Sequence, residues 1–217
     1  MHKPLPSHIS FALLLYYFYM KFTLKQLLAF ALAASFILFS CETSTVTNTD
    51  SLPEPEATIS YIIKKGEQST QSTVKFRDTS KIRFEAVFDN SAIYTSTLPA
   101  NQADINKLYG ASDCGTNHHV NSARFGWRWY NGRLEIHAYT YLNGKRNTAY
   151  ITSVKLGEPS AYELALEDNQ YRFIVNGESI VLPRACTGIT EGYQLYPYFG
   201  GDELAPHDIT IRIKELP

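Results

Sequence analysis

Beyond Ala57, apolar and polar side chains alternate residue by residue through most of the chain. That period of two marks strands with one buried face. Ile59-Ser60-Tyr61-Ile62-Ile63 predicts a first strand and Ser72-Thr73-Val74-Lys75-Phe76 a second. Ile82, Phe84, Ala86 and Phe88 alternate with Lys81, Arg83 and Glu85. Strands are predicted over 123–130 and 133–142, joined by Asn131-Gly132, a pair suited to the tightest hairpin turn. Asn143-Gly144 turns the chain into 148–156. A meander follows over 162–167, 171–175 and 179–182, through Asp168-Asn169 and Asn176-Gly177. Strands over 193–199 and 209–213 end the pattern. About ten short strands with regular turns predict one all-β domain, an antiparallel two-layer sandwich or barrel.

Two stretches depart from the alternation. Residues 101–109 are helix-compatible and predict a short helix or turn. Residues 110–121 are polar and predict a long loop, a kind of segment that often carries function.

The N-terminal region has a different pattern. Leu27 to Phe39 is a mostly apolar stretch of 13 residues, against roughly 20 for a bilayer span. Lys21 and Lys25 precede it, and Leu38-Phe39-Ser40-Cys41 ends it. A positive end, an apolar middle and a small residue at the cut form an export signal. With Cys at the cut, the four residues resemble the lipobox of bacterial lipoproteins, although Phe39 is bulkier than usual there. The resemblance implies cleavage before Cys41, lipid on its new N-terminus, and a place on a bacterial cell envelope. It also implies contact with the bilayer through acyl chains alone. Residues 1–19 carry a second apolar patch and are followed by Met20-Lys21, which predicts that translation starts at Met20. Residues 1–40 are thus a signal segment. Residues 41–56, rich in Thr and broken by Pro, bury too little to fold and predict a flexible tether. The globular domain is expected over 57–217.

Charge narrows the partners. The chain has 20 Lys/Arg and 21 Asp/Glu. Lys3, Lys21 and Lys25 lie before Cys41 and no acid does, leaving 17 basic against 21 acidic residues, a net charge of −4. Nucleic acid demands a basic surface and is not an expected partner. Cys114 and Cys186 remain in the mature chain, and an exported pair of thiols is expected to oxidise. Closing that loop would contribute roughly 3–4 kcal/mol in the chain-entropy model. The alternative is a metal pair completed by His118 and His119.

The run from Tyr162 to Gly177 resembles the strand-turn-strand of concanavalin-A-like and laminin-G-like jelly rolls. Tyr196-Pro197-Tyr198-Phe199-Gly200-Gly201 and the stretch from His207 to Ile213 are similar to their last two strands. The match covers roughly the final third of the chain and implies a jelly-roll β-sandwich. That fold hosts lectins, glycosidases, lyases and adhesion modules, so function must come from a site.

The hairpin around Asn131-Gly132 is the richest candidate. Alternation puts Phe125, Trp127 and Trp129 on one face of its first strand and Arg124, Arg128 and Tyr130 on the other. On the second strand Arg133, Glu135, His137, Tyr139 and Tyr141 share a face. Arg124, Arg128, Arg133, Glu135, His137 and Tyr139 are therefore the expected ligand-binding residues. Rings stack on sugar C–H faces, while Arg and Glu bond hydroxyls or carboxylates. A polysaccharide is the expected partner. The bland alternative is a solvated sheet whose cross-strand pairs only stabilise it.

Arg133-x-Glu135-x-His137 distantly resembles sheet motifs of alginate-lyase-type jelly rolls. That implies a second reading, a lyase on uronic-acid polymers with Arg133, His137 and Tyr139 as catalytic residues. The Tyr-Phe-Lys run of those lyases is absent, and Tyr198-Phe199-Gly200 stands in its place. A third reading is an envelope module for structure or adhesion that binds a protein. No cofactor is expected. Structural calcium is conceivable at Asp113 with His118 and His119, or at Asp202, Glu203 and Asp208. A monomer is expected.

Overall fold

The computed structural model describes residues 57–217. The signal segment, Cys41 and the tether lie outside the described residues. The strands are β1 (Ile59–Ile63), β2 (Phe76–Thr79), β3 (Lys81–Phe88), β4 (Asn106–Ser112), β5 (Ser122–Tyr130) and β6 (Arg133–Leu142). They continue with β7 (Lys145–Val154), β8 (Ser160–Glu167), β9 (Gln170–Val175), β10 (Glu178–Pro183), β11 (Thr190–Leu195) and β12 (Ile209–Leu216). Two six-stranded antiparallel sheets result, ordered β1-β12-β3-β8-β9-β10 and β2-β11-β4-β5-β6-β7. Packed face to face, they make a jelly-roll β-sandwich.

Alternation explains the packing. Ile82, Phe84, Ala86 and Phe88 of β3 point inward, as do Tyr171, Phe173 and Val175 of β9. Phe125 and Trp127 of β5 and Leu134, Ile136 and Ala138 of β6 meet them from the other sheet. An aromatic seam joins the layers. Phe84 stacks on its cross-strand neighbour Tyr162 at 4.8 Å between centroids within one sheet, and Phe125 meets Phe173 of the other sheet edge-on at 5.2 Å. Each buried Phe contributes about 1.5–3 kcal/mol through its area, and such ring pairs add about 0.5–1.5 kcal/mol. The β5–β6 hairpin turns through Asn131 (φ 51°) and Gly132 (φ 74°), the left-handed pair that this turn requires.

Three expectations are corrected. The second strand lies at Phe76–Thr79 rather than 72–76, and Val74 and Phe76 are exposed. Its extent is set by pairing with β11 at the sheet edge, Thr79 opposite Thr190, and not by burial of its apolar residues. The helix or turn expected over 101–109 is a short 3₁₀ turn at Pro99–Ala103, and the chain is already extended from Asn106. The polar loop expected over 110–121 begins only after Ser112, because β4 occupies Gly110 to Ser112. A bulge hides β4 from its sequence pattern. Lys107 pairs with Gly126 and Gly110 with Arg124, so β4 carries one extra residue. Leu108 and Tyr109 consequently both turn into the core, and the period of two is lost.

Cys114 and Cys186 form a disulfide. Both sulfurs are thereby used, which rules out the metal pair with His118 and His119. Beside the disulfide, Asp113 accepts hydrogen bonds from Arg184 (Nε at 2.7 Å) and the Tyr171 hydroxyl (2.7 Å). Arg184 and Asp113 are almost wholly buried. They tie the loop after β4 to β9 and the segment after β10.

Candidate functional site

The register of the central hairpin places its polar side chains together. Arg124 lies opposite Tyr139, Gly126 opposite His137, Arg128 opposite Glu135 and Tyr130 opposite Arg133. All occupy the face of the sheet turned away from the core, where they divide into two groups with different states.

The first group centres on Glu135. Arg128 Nε donates to it at 2.8 Å and Arg133 NH2 at 2.8 Å, and His137 Nε2 lies 3.3 Å from it. Arg128 also donates to the Ala103 carbonyl at 2.6 Å. Burial favours the neutral carboxyl, but the Arg128 and Arg133 hydrogen bonds outweigh it and hold Glu135 below the usual carboxylate range. Burial, with the charge of Arg128, pushes the His137 pKa down, so the imidazole is neutral. Arg128 lies over the Tyr130 ring and Arg133 over the Tyr150 ring. Glu135 and His137 are buried under this cover, and the Glu135 carboxylate has its charge matched inside the protein.

The second group opens a cavity of about 260 Å³. Arg124 of β5, Tyr139 and Tyr141 of β6 and Lys107 of β4 line it, with Tyr198 beyond β11 and the pair His118 and His119 from the loop before β5. Arg124 and Lys107 converge on one phenol: the guanidinium carbon is 5.2 Å and the ammonium 5.3 Å from the Tyr139 ring centroid. Burial and the charge of Arg124 bring the Lys107 pKa down to about 8, despite the opposing pull of Asp104. Burial likewise raises the Tyr139 phenol. His118 accepts or donates at 2.7 Å with the Tyr193 hydroxyl. Burial and the neighbouring His119 lower its pKa to about 4, so it carries no charge at neutral pH.

Of the residues expected from sequence, only Arg124 and Tyr139 reach this cavity. Arg128, Arg133 and His137 are held on Glu135, and among the described residues no hydrogen bond joins Tyr139 to Arg133 or His137. Lys107, Tyr198 and the role of the histidines are missed by sequence reasoning. The histidines carried a signal, two adjacent imidazoles in a polar loop, but that pattern suggests metal as readily. Lys107 carried none, since the bulge conceals its strand.

Three of the four carboxylates considered for calcium have protein partners. Asp113 binds Arg184 and Tyr171, Asp208 binds Lys64, and Glu203 accepts the backbone N–H groups of Thr97 and Leu98. A larger, shallower hollow of about 610 Å³ lies beside Phe76 and Tyr193. Its Arg77 is already paired with Glu215, and its other charged lining residues, Asp78 and Glu191, are acidic, whereas the Lys107–Arg124 cavity is lined by two cations and no acid.

No family model matches the sequence, and no curated protein matches it. Several solved structures are similar. Alginate lyase vAL-1 from Chlorella virus is 13% identical, with a TM-score of 0.45 over 74% of this chain and 83% of that one. SCLam, a non-specific endo-β-1,3(4)-glucanase of family GH16, is 8% identical, with a TM-score of 0.48 over 73% and 69%. The carbohydrate-binding module CBM66 from Bacillus subtilis is 10% identical, with a TM-score of 0.35 over 74% and 94%. At these identities the likeness extends to the fold and no further.

Proposed function

We propose that this chain is a glycan-binding protein of a bacterial cell envelope, held there by lipid on Cys41, with its ligand seated on the outer face of β4, β5 and β6. The observation that carries the reading is the cavity where Tyr139, Tyr141 and Tyr198 gather beside Arg124 and Lys107. A phenol offers an apolar face to sugar C–H groups and a hydroxyl to sugar hydroxyls. Lys and Arg add donors for ring oxygens and substituents. Few other ligand classes need both on one shallow surface. The tether would hold this face away from the membrane; its 15 residues after Cys41 reach roughly 50 Å when extended.

A glycan array probed with the full-length chain tests this reading. Binding is expected, and Tyr141→Ala or Tyr198→Ala should weaken it roughly tenfold, the scale of losing one stacking ring. Retained affinity in both variants would remove the ligand from this face. Absorbance at 235 nm on uronic-acid polymers should stay flat, and a rise would mean an unsaturated product and a lyase. Cys41→Ser should abolish incorporation of labelled fatty acid.

A further inference from the structure

Two buried arginines of this protein stand in contrast. Arg184 has every reason to be buried: it donates to both oxygens of Asp113 and to the carbonyls of Glu167 and Gly188. Arg124 has none of these. It is only 7% exposed, and its Nε is buried with no hydrogen-bond partner. Among the described residues it forms no ion pair, and its one close companion is the face of Tyr139. A guanidinium carries five N–H donors, and of Arg124's the buried Nε is the one left unmatched, which is costly. An orphaned buried donor calls for an explanation, and the open cavity beside this one offers a ligand that would complete it.

The surroundings say what would complete it. A second cation, Lys107, shares the cavity, and no Asp or Glu lines it. Asp104 acts on Lys107 through space but is not part of the lining. The ammonium donates to the Gly200 carbonyl and keeps further N–H groups free. Its lowered pKa reflects burial first and the neighbouring Arg124 charge second. The imidazole of His118 is neutral and adds no competing acid.

We infer that the Lys107–Arg124 cavity is an anion subsite, which takes the carboxylate of a uronic acid or the sulfate ester of a sulfated sugar within the bound glycan. This deepens the glycan-binding reading and rests on it. Arg124 would grip two oxygens with its planar fork, while Lys107 supplies the second charge from across the Tyr139 ring.

Calorimetric titration of the full-length chain tests it with three probes. These are an oligogalacturonate, the same oligomer with its carboxyls reduced to hydroxymethyl groups, and a sulfated oligosaccharide. At least one charged probe should bind, and which of them binds identifies the anion. Where the uronate is that probe, the reduced oligomer should bind roughly 10- to 100-fold more weakly, the scale of a lost charged hydrogen bond. Arg124→Gln should bring affinity for the charged probe down to that level and leave the reduced oligomer unaffected. Arg124→Lys should recover part of the loss. Should Arg124→Gln fail to fold, Lys107→Gln tests the same charge from the neighbouring strand. Equal binding of charged and reduced oligomers, unchanged in the variants, would overturn the anion subsite and leave glycan binding standing. Failure of every glycan, neutral or charged, on a broad array would overturn both.

Discussion

Arg184→Met should unfold this domain far more readily, and the structure sets the size of the effect. The Arg184 and Asp113 side chains are 0% and 1% exposed. Met fills much of the arginine's volume, so the cavity contribution is small. What is lost is the cation opposite a buried carboxylate and the donor to the Glu167 and Gly188 carbonyls. The Tyr171 hydroxyl would remain on Asp113 as a side-chain donor. Breaking a buried ion pair by removing one partner costs about 3–5 kcal/mol. With a urea slope of about 2 kcal/mol per M for a domain of this size, the unfolding midpoint should fall by about 1.5–2.5 M.

The pH dependence separates this cause from a packing defect. In the native protein burial raises the Asp113 carboxyl, but the Arg184 and Tyr171 hydrogen bonds win and hold it below its ordinary value. That stability is present above the unfolded carboxyl's pKa, about 4, and is lost as pH falls through the native value. In the variant burial prevails, the carboxyl rises, and the native state takes up a proton before the unfolded chain does. Acid then relieves the variant while it weakens the wild type. Urea titrations between pH 7 and pH 4, with the disulfide intact, should show the deficit shrinking. A deficit below about 1 kcal/mol, or one unchanged across that range, would refute the reasoning.

Two further substitutions test the backbone and the core. A Cβ at Gly110 would stand 2.1 Å from the Ala123 carbonyl oxygen and 2.4 Å from the Arg124 Cα, both backbone atoms that cannot swing aside. Gly110→Ala should therefore cost about 3 kcal/mol in thermal or urea unfolding, and a change under 1 kcal/mol would mean the two strands are farther apart than described. The Tyr162 hydroxyl is buried with no partner, which pushes its pKa well above the usual phenol range. Tyr162→Phe should leave stability unchanged or raise it by about 1 kcal/mol, and a loss greater than that would reveal a bonded hydroxyl.

The hairpin turns were legible because their chemistry is local. Asn131-Gly132, Asn143-Gly144 and Asn176-Gly177 are turns that any strand pair would make in the same way, and each adopts the left-handed backbone expected. Strands β3 and β9 were legible because one face of each is fully buried and the other less so, and β5 and β6 because apolar and polar residues alternate along them even though both faces are largely buried. Strand β4 was not legible, since its bulge puts Leu108 and Tyr109 on the same side and its Asn106 is a buried polar residue. Asn106 is buried because it donates to the Tyr94 hydroxyl and accepts from the Gly200 N–H, partners 12 and 94 residues away.

The sequence by itself determined an all-β domain of sandwich or barrel kind, since a period of two closed by Asn-Gly turns leaves a chain few other ways to bury its apolar faces. It also determined which side chains of β5 and β6 turn away from the core, because parity along a strand is a local property. Tertiary structure alone decided which of those side chains carry unmatched charge. Glu135 drew Arg128 from across the β5–β6 register and Arg133 and His137 from its own strand, while Arg124 was left facing Lys107 from a strand that the bulge conceals. Electrostatic pairing depends on side-chain distances set by strand register and bulge, and no pattern along the chain records those distances.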